Sequence, residues 1–360
     1  MNNQTSNISF SLHGKCFISQ TQRSITMPVL IIFELPSLIC FLIIFYYFIQ
    51  LRKSMLFDRI NHHVILLILI SDFLLIATEL PISLYYLAMG YIQTAKICTF
   101  WIYWDYTLET TSLFLTMYAS IERYLLVFHK SNFLKRKVLF HFIPMVTVAL
   151  YIPVLYMYLV VLAPCVKNHQ YDLTAFGCGG PCFFAQTLVN IYDTIVDTML
   201  PCFIIITFNL LMIVRSSVLK RRALTSLSIS NTLRRNRRMI TQLLAISLMC
   251  LIAWIPWVVI IIGQNFFDSS FGDWFITHIV HYLPYLTASI SPFLALIGLP
   301  SIRQRLRVLK RQMITAKNTT ASISENKTAT TVENRNEPIV TNFKLKNISL
   351  DSSDVQTTRF

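Results

Sequence analysis

Seven stretches of this chain, residues 27–51, 64–87, 98–128, 138–162, 187–214, 239–262 and 275–299, are apolar over enough length to cross a lipid bilayer, which takes about 20 residues of helix. Hydrocarbon offers backbone N–H and C=O groups no partner, so a spanning segment outside a closed barrel must be helical. Lipid as solvent also explains why only 13% of the residues are charged, against about 25% in soluble domains. The expected fold is an all-α membrane protein, a seven-transmembrane helix bundle.

The net charge of +14 would fit a nucleic-acid partner if it lay on one soluble face, but its placement argues against that. Basic residues cluster after the first, third, fifth and seventh spans: Arg52, Lys53 and Arg59; Lys130 and residues 135–137; Arg215 and residues 220–238; residues 303–311. The opposite side carries Lys15, Arg23, Lys96 and Lys167. Positive charge stays on the cytoplasmic side. The N-terminus is therefore expected outside the cell and the C-terminus inside, in a multi-pass protein of the plasma membrane. The first apolar run is too long for a cleaved signal peptide and is expected to insert the chain by itself. Four segments follow: an extracellular N-terminus, 1–26; the bundle, 27–299; an amphipathic membrane-surface helix, 300–313; a disordered cytoplasmic tail, 314–360. Ile302, Leu306 and Leu309 recur at helical spacing among arginines, as in a helix lying in the membrane interface. The tail is rich in Thr, Ser, Asn and Lys with few large apolar residues. Asn3 and Asn7 open glycosylation sequons on the side expected to be extracellular.

Cys40, Cys202 and Cys250 lie inside spans and read as packing residues. Cys16, Cys98, Cys165, Cys178 and Cys182 lie on the outer side, where disulfides persist. A bridge from Cys98 to the loop between spans four and five would pin that loop across the outer mouth. Five is an odd number, and connectivity cannot be read from sequence. At the inner end of span three stand Glu122, Arg123 and Tyr124. An acid beside an arginine can pair with it and stay partly desolvated, a latch that a partner offering carbonyls or acid opens. The plain alternative is an arginine snorkelling to the interface. Pro256, two residues after Trp254, removes a helical hydrogen bond and makes span six a lever; Pro201 and Pro292 weaken their helices likewise. Prolines are also common in membrane helices without such a role.

In this order and in these spans, the chain resembles the rhodopsin-like (class A) G-protein-coupled receptors, as a divergent member, over roughly residues 27–313. Cys98 stands 25 positions before Arg123, like the family's disulfide cysteine before its Asp/Glu-Arg-Tyr arginine. Ser71-Asp72, Pro201, Trp254-Ile255-Pro256, Ser291-Pro292 and a basic amphipathic stretch complete the likeness. The resemblance implies a receptor that binds an extracellular ligand and activates a heterotrimeric G protein through Glu122, Arg123 and Tyr124. Pro201, Trp254, Pro256, Ser291 and Pro292 would form the switch. It implies a Cys98–Cys178 disulfide, with Cys182 the alternative partner. It also implies a sodium ion held by Asp72, Ser112 and Ser291, with Thr287 near; the alternative is a protonated, hydrogen-bonded Asp72. No other cofactor is expected. The chain departs from the family pattern in several places: Ser291 stands where an asparagine is usual, Ala295 and Asn209 where tyrosines are, Cys250 where a phenylalanine is, and span four lacks the usual tryptophan.

The spans contain Glu34, Asp72, Glu79, Asp105, Glu109, Asp193 and Asp197 with no Lys or Arg among them except Arg123. Buried anions without partners imply a cation, protons or water. Asp105 lies 18 residues, five turns, before Arg123 and shares its helix face, about 27 Å away. Asp105 and Tyr285 match the amine-binding positions of aminergic receptors. Asp193 and Asp197 lie two turns and one turn before Pro201. The expected ligand is cationic, an amine or a basic peptide, held by Asp105, Asp193, Trp254, Trp257, Tyr285, Glu109, Asp197 and Glu79. Trp257 and Tyr282 are placed to add cation–π contacts. Neutral carboxyls are the plain alternative. Ser349, Ser352, Ser353, Thr357 and Thr358 are positions where phosphate would draw arrestin-like partners. Thr358-Arg359-Phe360 fits a PDZ-domain ligand. No nucleophile–base pair or metal-ligand cluster points to an enzyme. Two rivals stand beside this reading. One is a cation or proton transporter using the acidic cavity; the other is a receptor-like protein that no longer couples, as Ala295 and Asn209 would allow.

Overall fold

In the computed structural model, residues 20–50, 61–222, 227–267 and 270–298 are described, all within a unit spanning residues 1–304. Asn3, Asn7, the cluster 52–59, the surface helix 300–313 and the tail 314–360 lie outside them, as do the side chains of residues 219–240.

Helix α1 runs Gln20–Gln50. Helix α2 comprises Asn61–Leu74, a π turn Leu75–Glu79 and Leu80–Met89. Helix α3 is Ala95–Phe128. Helix α4 begins with a π turn, Val138–Phe142, continues through Ile143–Tyr156 and ends in a second, Met157–Leu162. Helix α5 comprises Thr187–Tyr192, a π turn Asp193–Met199 and Leu200–Arg222. Helix α6 is Leu227–Phe266. Helix α7 comprises Asp273–His278, a 3₁₀ turn Val280–Tyr282 and Leu283–Gly298. Several helices outrun the apolar stretches that signalled them, because a helix continues past the hydrocarbon wherever capping or packing allows. Helix α3 is an example: the Thr94 side chain caps its start by accepting from the Ile97 N–H.

Helix α3 is the hub. It packs on α2, α4, α5 and α6, while α7 joins α6 to α1 and α2 and closes the ring. Six of the seven are long and apolar enough to cross a membrane on composition alone. Helix α3 falls short because Asp105, Glu109, Glu122 and Arg123 sit along it among threonines. Its neighbours shield those groups from lipid. Apolar side chains instead cover the outside of the bundle: Ile32, Leu150, Val154 and Phe203 are each more than 60% exposed. An apolar belt that large marks a surface meant for lipid rather than water. Inside, Val64, Ile68, Leu115, Tyr118, Val148 and Leu243 knit α2, α3, α4 and α6 together. Leu113, Cys202 and Ile205 join α3 to α5 beneath Trp254.

The π turns have a common cause. Each ends two residues before a proline: Glu79 before Pro81, Phe142 before Pro144, Leu162 before Pro164 and Met199 before Pro201. A proline ring clashes with the carbonyl four residues earlier and offers no N–H to bond it. Widening that turn by one residue relieves the clash. Pro256 and Pro292 lie inside α-helices with no π turn beside them. Three of the four π turns carry buried titratable side chains: Glu79, His141, and Asp193 with Asp197.

Candidate functional site

The outer half of the bundle gathers the acids of α2 and α3 against α7. Glu79, at the end of its π turn, is fully buried. Its Oε1 accepts hydrogen bonds from Trp101 Nε1 at 2.5 Å, Tyr285 Oη at 2.8 Å and Ser83 Oγ at 3.0 Å. Ser83 and Tyr285 lie 2.9 Å apart. Among the described residues no donor reaches Glu79 Oε2 or Asp105 Oδ1, although both atoms are buried. Asp105 and Glu109, one turn apart on α3, lie within hydrogen-bonding reach of each other. Two carboxyls this close require a proton or a cation between them.

An aromatic lid covers these acids. Phe176, from the loop between α4 and α5, packs against Tyr86 (5.6 Å), Trp101 (5.4 Å), His281 (5.0 Å) and Tyr282 (5.6 Å). The Cys98–Cys178 disulfide holds it there. Cys182 pairs instead with Cys165. Cys16 lies outside the described residues. Trp257 packs on His281 at 5.7 Å, so Trp257 and Tyr282 both belong to this lid. Arg23 of α1 lies 5.9 Å over the Tyr86 ring at its edge.

Asp193 and Asp197 form a second group, between α4 and α5. Tyr156 donates to Asp193 at 2.8 Å and also meets Thr110 of α3 at 3.2 Å. Tyr151 donates to Asp197 at 3.3 Å. Tyr106 of α3 packs on Tyr156, Phe183 and Phe184, on the side of α3 that faces this group. The structure thus brings Glu79, Asp105, Glu109 and Tyr285 together and places Asp193 and Asp197 apart from them. The tyrosines that bind the second group were not singled out from sequence. Their spacing of five residues on α4 is the only signal there was.

Below the acids lies a cavity of about 40 Å³, lined among others by Glu109, Asp72, Ser112, Thr287, Ser291 and Trp254. That volume holds two or three waters, or an ion with part of its hydration shell. Ser112 donates to Asp72 at 2.7 Å. Ser291 lies within reach of the same carboxylate, with its hydroxyl directed at the Ala288 carbonyl, 3.0 Å away. The donors are all hard oxygens, the set a sodium ion favours, so these residues fit that ion. One turn beyond Ser291, Gln242 Nε2 reaches the Ala295 backbone carbonyl at 3.5 Å.

At the inner end Glu122 and Arg123 are both almost fully buried. The hydrogen bond to the Glu122 carboxylate comes from His141 of α4, at 2.7 Å, a residue sequence reasoning missed. Tyr124 packs on Phe128 and Phe208 beneath the Arg215 guanidinium, 5.4 Å from its ring centroid.

Seven helices around a polar α3, a disulfide pinning the outer loop to that helix, and a Glu-Arg-Tyr at its inner end whose acid and arginine are buried define a seven-helix membrane receptor. A family model described as 7 transmembrane receptor (rhodopsin family) matches residues 39–294, and the chain belongs to that family. It is a signalling receptor of the G-protein-coupled class and a multi-pass membrane protein, and members of this family are receptors rather than enzymes. A search among curated proteins found no match.

Proposed function

We propose that this receptor binds a cationic extracellular ligand, an amine or a basic peptide, and in response promotes nucleotide exchange on a heterotrimeric G protein. One observation carries the reading: Glu79 Oε2 and Asp105 Oδ1 are buried and receive no donor among the described residues. Carboxylates left this way inside a membrane protein are costly, and a cation offering two or more N–H donors removes the cost. Asp105 is the anchor, Glu79 a second acceptor held in place by Trp101, Ser83 and Tyr285, and Glu109 the group through which the cation acts downward. Asp193 and Asp197 offer a second cationic group its own subsite. The ligand slips beneath or displaces Phe176, and Trp257 and Tyr282 flank it.

Glu109 lines the same cavity as Asp72 and Trp254, so a cation above changes the charge balance of the chamber below. Asp72, Ser112, Ser291 and Thr287 would hold a sodium ion there, which supplies the positive charge Asp72 otherwise lacks. Ligand binding favours whichever packing of Trp254, Pro256, Pro201, Ser291 and Pro292 it binds more tightly, and by no more than that difference in affinity. Glu122, Arg123 and Tyr124 then meet the G protein. The same reading keeps the N-terminus outside with sugars on Asn3 and Asn7, the surface helix and tail inside as separate segments, and arrestin-like and PDZ-domain partners on the tail. The test is a screen of amines and basic peptides against the wild type and Asp105→Asn. A potent agonist is expected to lose at least about tenfold in affinity in the variant. Full affinity there would refute the anchor.

A further inference from the structure

A cation stands at the rim of the aromatic lid with no anion to meet it. Arg23 of α1 lays its guanidinium 5.9 Å over the ring of Tyr86 of α2. It occupies the space that Gly90 leaves at the end of α2. Gly90 has φ +83°, and a Cβ there would overlap Arg23 Nη1. The guanidinium also lies close enough to Tyr282 of α7 to act on its hydroxyl. Among the described residues, Arg23 Nε and Tyr282 Oη are both buried and have no hydrogen-bond partner. Tyr282 as a whole is 5% exposed. Two helices thus bring two buried donors to one region that holds no acceptor for them.

Membrane topology does not account for this arginine. Positive charge is favoured on the inner side, and an arginine that only snorkels turns its head into water, whereas part of this head is buried. Among the described residues no carboxylate pairs with Arg23. Residues 1–19, which precede it, contain no Asp or Glu, so that segment cannot supply one. Of the loop acids, Asp172 binds Thr174 and Asp273 binds Gln264. A guanidinium beside a phenol hydroxyl suits a carboxylate, which accepts from both in charge-assisted bonds.

The distance from this region to the buried acids sets the length of the ligand. Tyr86 is the ring between Arg23 and Trp101. It packs on Trp101 at 5.8 Å, and Trp101 donates to Glu79. On α7, Tyr282 stands one turn before Tyr285, which also donates to Glu79. Glu79 and Tyr86 are seven residues apart on α2, about 10 Å of helix rise. An extended peptide covers that length in about three residues. A single α-amino acid, with ammonium and carboxylate on one carbon, is too short. We propose that the outer cavity takes a zwitterion, a peptide of about three residues whose terminal ammonium meets Asp105 and Glu79 and whose terminal carboxylate meets Arg23 and Tyr282. Phe176 packs against Tyr86, Trp101 and Tyr282 along this path, so the central residue meets an apolar surface. The inference rests on the reading of Asp105 and Glu79 as acceptors for a cation, and it adds the opposite charge to the same ligand.

The full chain in lipid nanodiscs is titrated with an equimolar pool of tripeptides of mixed sequence in three forms: both termini free, C-terminal amide, and N-acetylated with a free carboxylate. Thermal unfolding reports binding, because a ligand of the native state stabilises it. The free pool should act at a concentration at least about tenfold lower than the amide pool, the effect of one charge-assisted contact. Arg23→Gln should bring these two pools level. Tyr282→Phe, which removes one hydroxyl, should narrow the gap about two- to fivefold. An amide pool as effective as the free pool on the wild type overturns the carboxylate subsite and leaves the cationic-ligand reading standing. An acetylated pool as effective as the free pool refutes that reading, and the zwitterion with it. A gap undiminished in either variant overturns the assignment to Arg23 and Tyr282, and Tyr282→Phe decides alone if Arg23→Gln does not fold. If no form shifts the wild type, the three-residue span is wrong and the proposal falls.

Discussion

Replacing Trp101 by Phe removes the indole N–H together with one of two fused rings of a buried side chain, a packing loss that a double-mutant cycle cancels. The ring system at that position still lies near Tyr86 and Phe176, now 5.8 and 5.4 Å away, while the 2.5 Å bond to Glu79 is lost. Tyr285 and Ser83 continue to bind Glu79, so the acid is not orphaned and loses one of its three donors. A hydrogen bond to an ionised group contributes about 1.5–3 kcal/mol, and one between neutral groups about 0.5–1.5 kcal/mol. Glu79→Gln keeps the shape and an acceptor oxygen but cannot carry charge. In a double-mutant cycle of Trp101→Phe with Glu79→Gln, the coupling energy is the charge-assisted excess, about 1–1.5 kcal/mol. That corresponds to roughly a five- to twelvefold change in the unfolding constant beyond the product of the single effects. The assay is equilibrium unfolding in mixed micelles, followed by two probes to establish two-state behaviour. If the two substitutions add within about 0.5 kcal/mol, Glu79 is not an ionised acceptor held ready for a cation, and the reasoning that makes it part of the ligand site fails.

The two disulfides should differ in weight. Cys98–Cys178 closes a separation of 80 residues and Cys165–Cys182 one of 17, so loop entropy gives about 4.5 and about 3 kcal/mol. Serine pairs at each bridge, compared by unfolding, should keep that order, and equal losses would show that strain or residual structure dominates. Asp72→Asn should abolish any effect of sodium, relative to potassium, on the thermal stability of the receptor; a sodium effect that survives would place the ion elsewhere. Ala295 is fully buried with Gln242 at its carbonyl, so Ala295→Tyr should cost about 1–3 kcal/mol by overpacking. Thermal unfolding checks it, and a neutral Ala295→Tyr would mean the space for a tyrosine was never filled.

Much of the arrangement was legible in the chain, and the exceptions share a cause. Cys98, Asp105 and Arg123 sit on one unbroken helix, so counting residues placed them correctly along it. Asp72 and Ser112 meet as expected because the α-helical part of α2 and the middle of α3 keep regular phase. Glu79 is different. Its carboxylate is aimed by a π turn, and the extra residue rotates all that follows by about 100°. Asp193 and Asp197 lie in another such turn and face α4, where Tyr156 and Tyr151 bind them, rather than joining Asp105. His141 was passed over because a lone histidine near the start of a span looks like an interfacial residue. Only the widened turn before Pro144 buries it against Glu122. The prolines were all visible; which of them sit on a relaxed turn and which on a regular helix was not.

Hydropathy and span length are properties of the chain read in one dimension, because each segment meets lipid on its own. They therefore determined that seven helices form and in what order, and the motif spacings along them pointed to the receptor family. Which side chains face each other depends on the rotation of each helix about its axis, and that rotation is set by the π turns and by neighbours far away in sequence. The unpartnered oxygens of Glu79 and Asp105, the second disulfide, and the bond between His141 and Glu122 were accordingly decided by the tertiary structure alone.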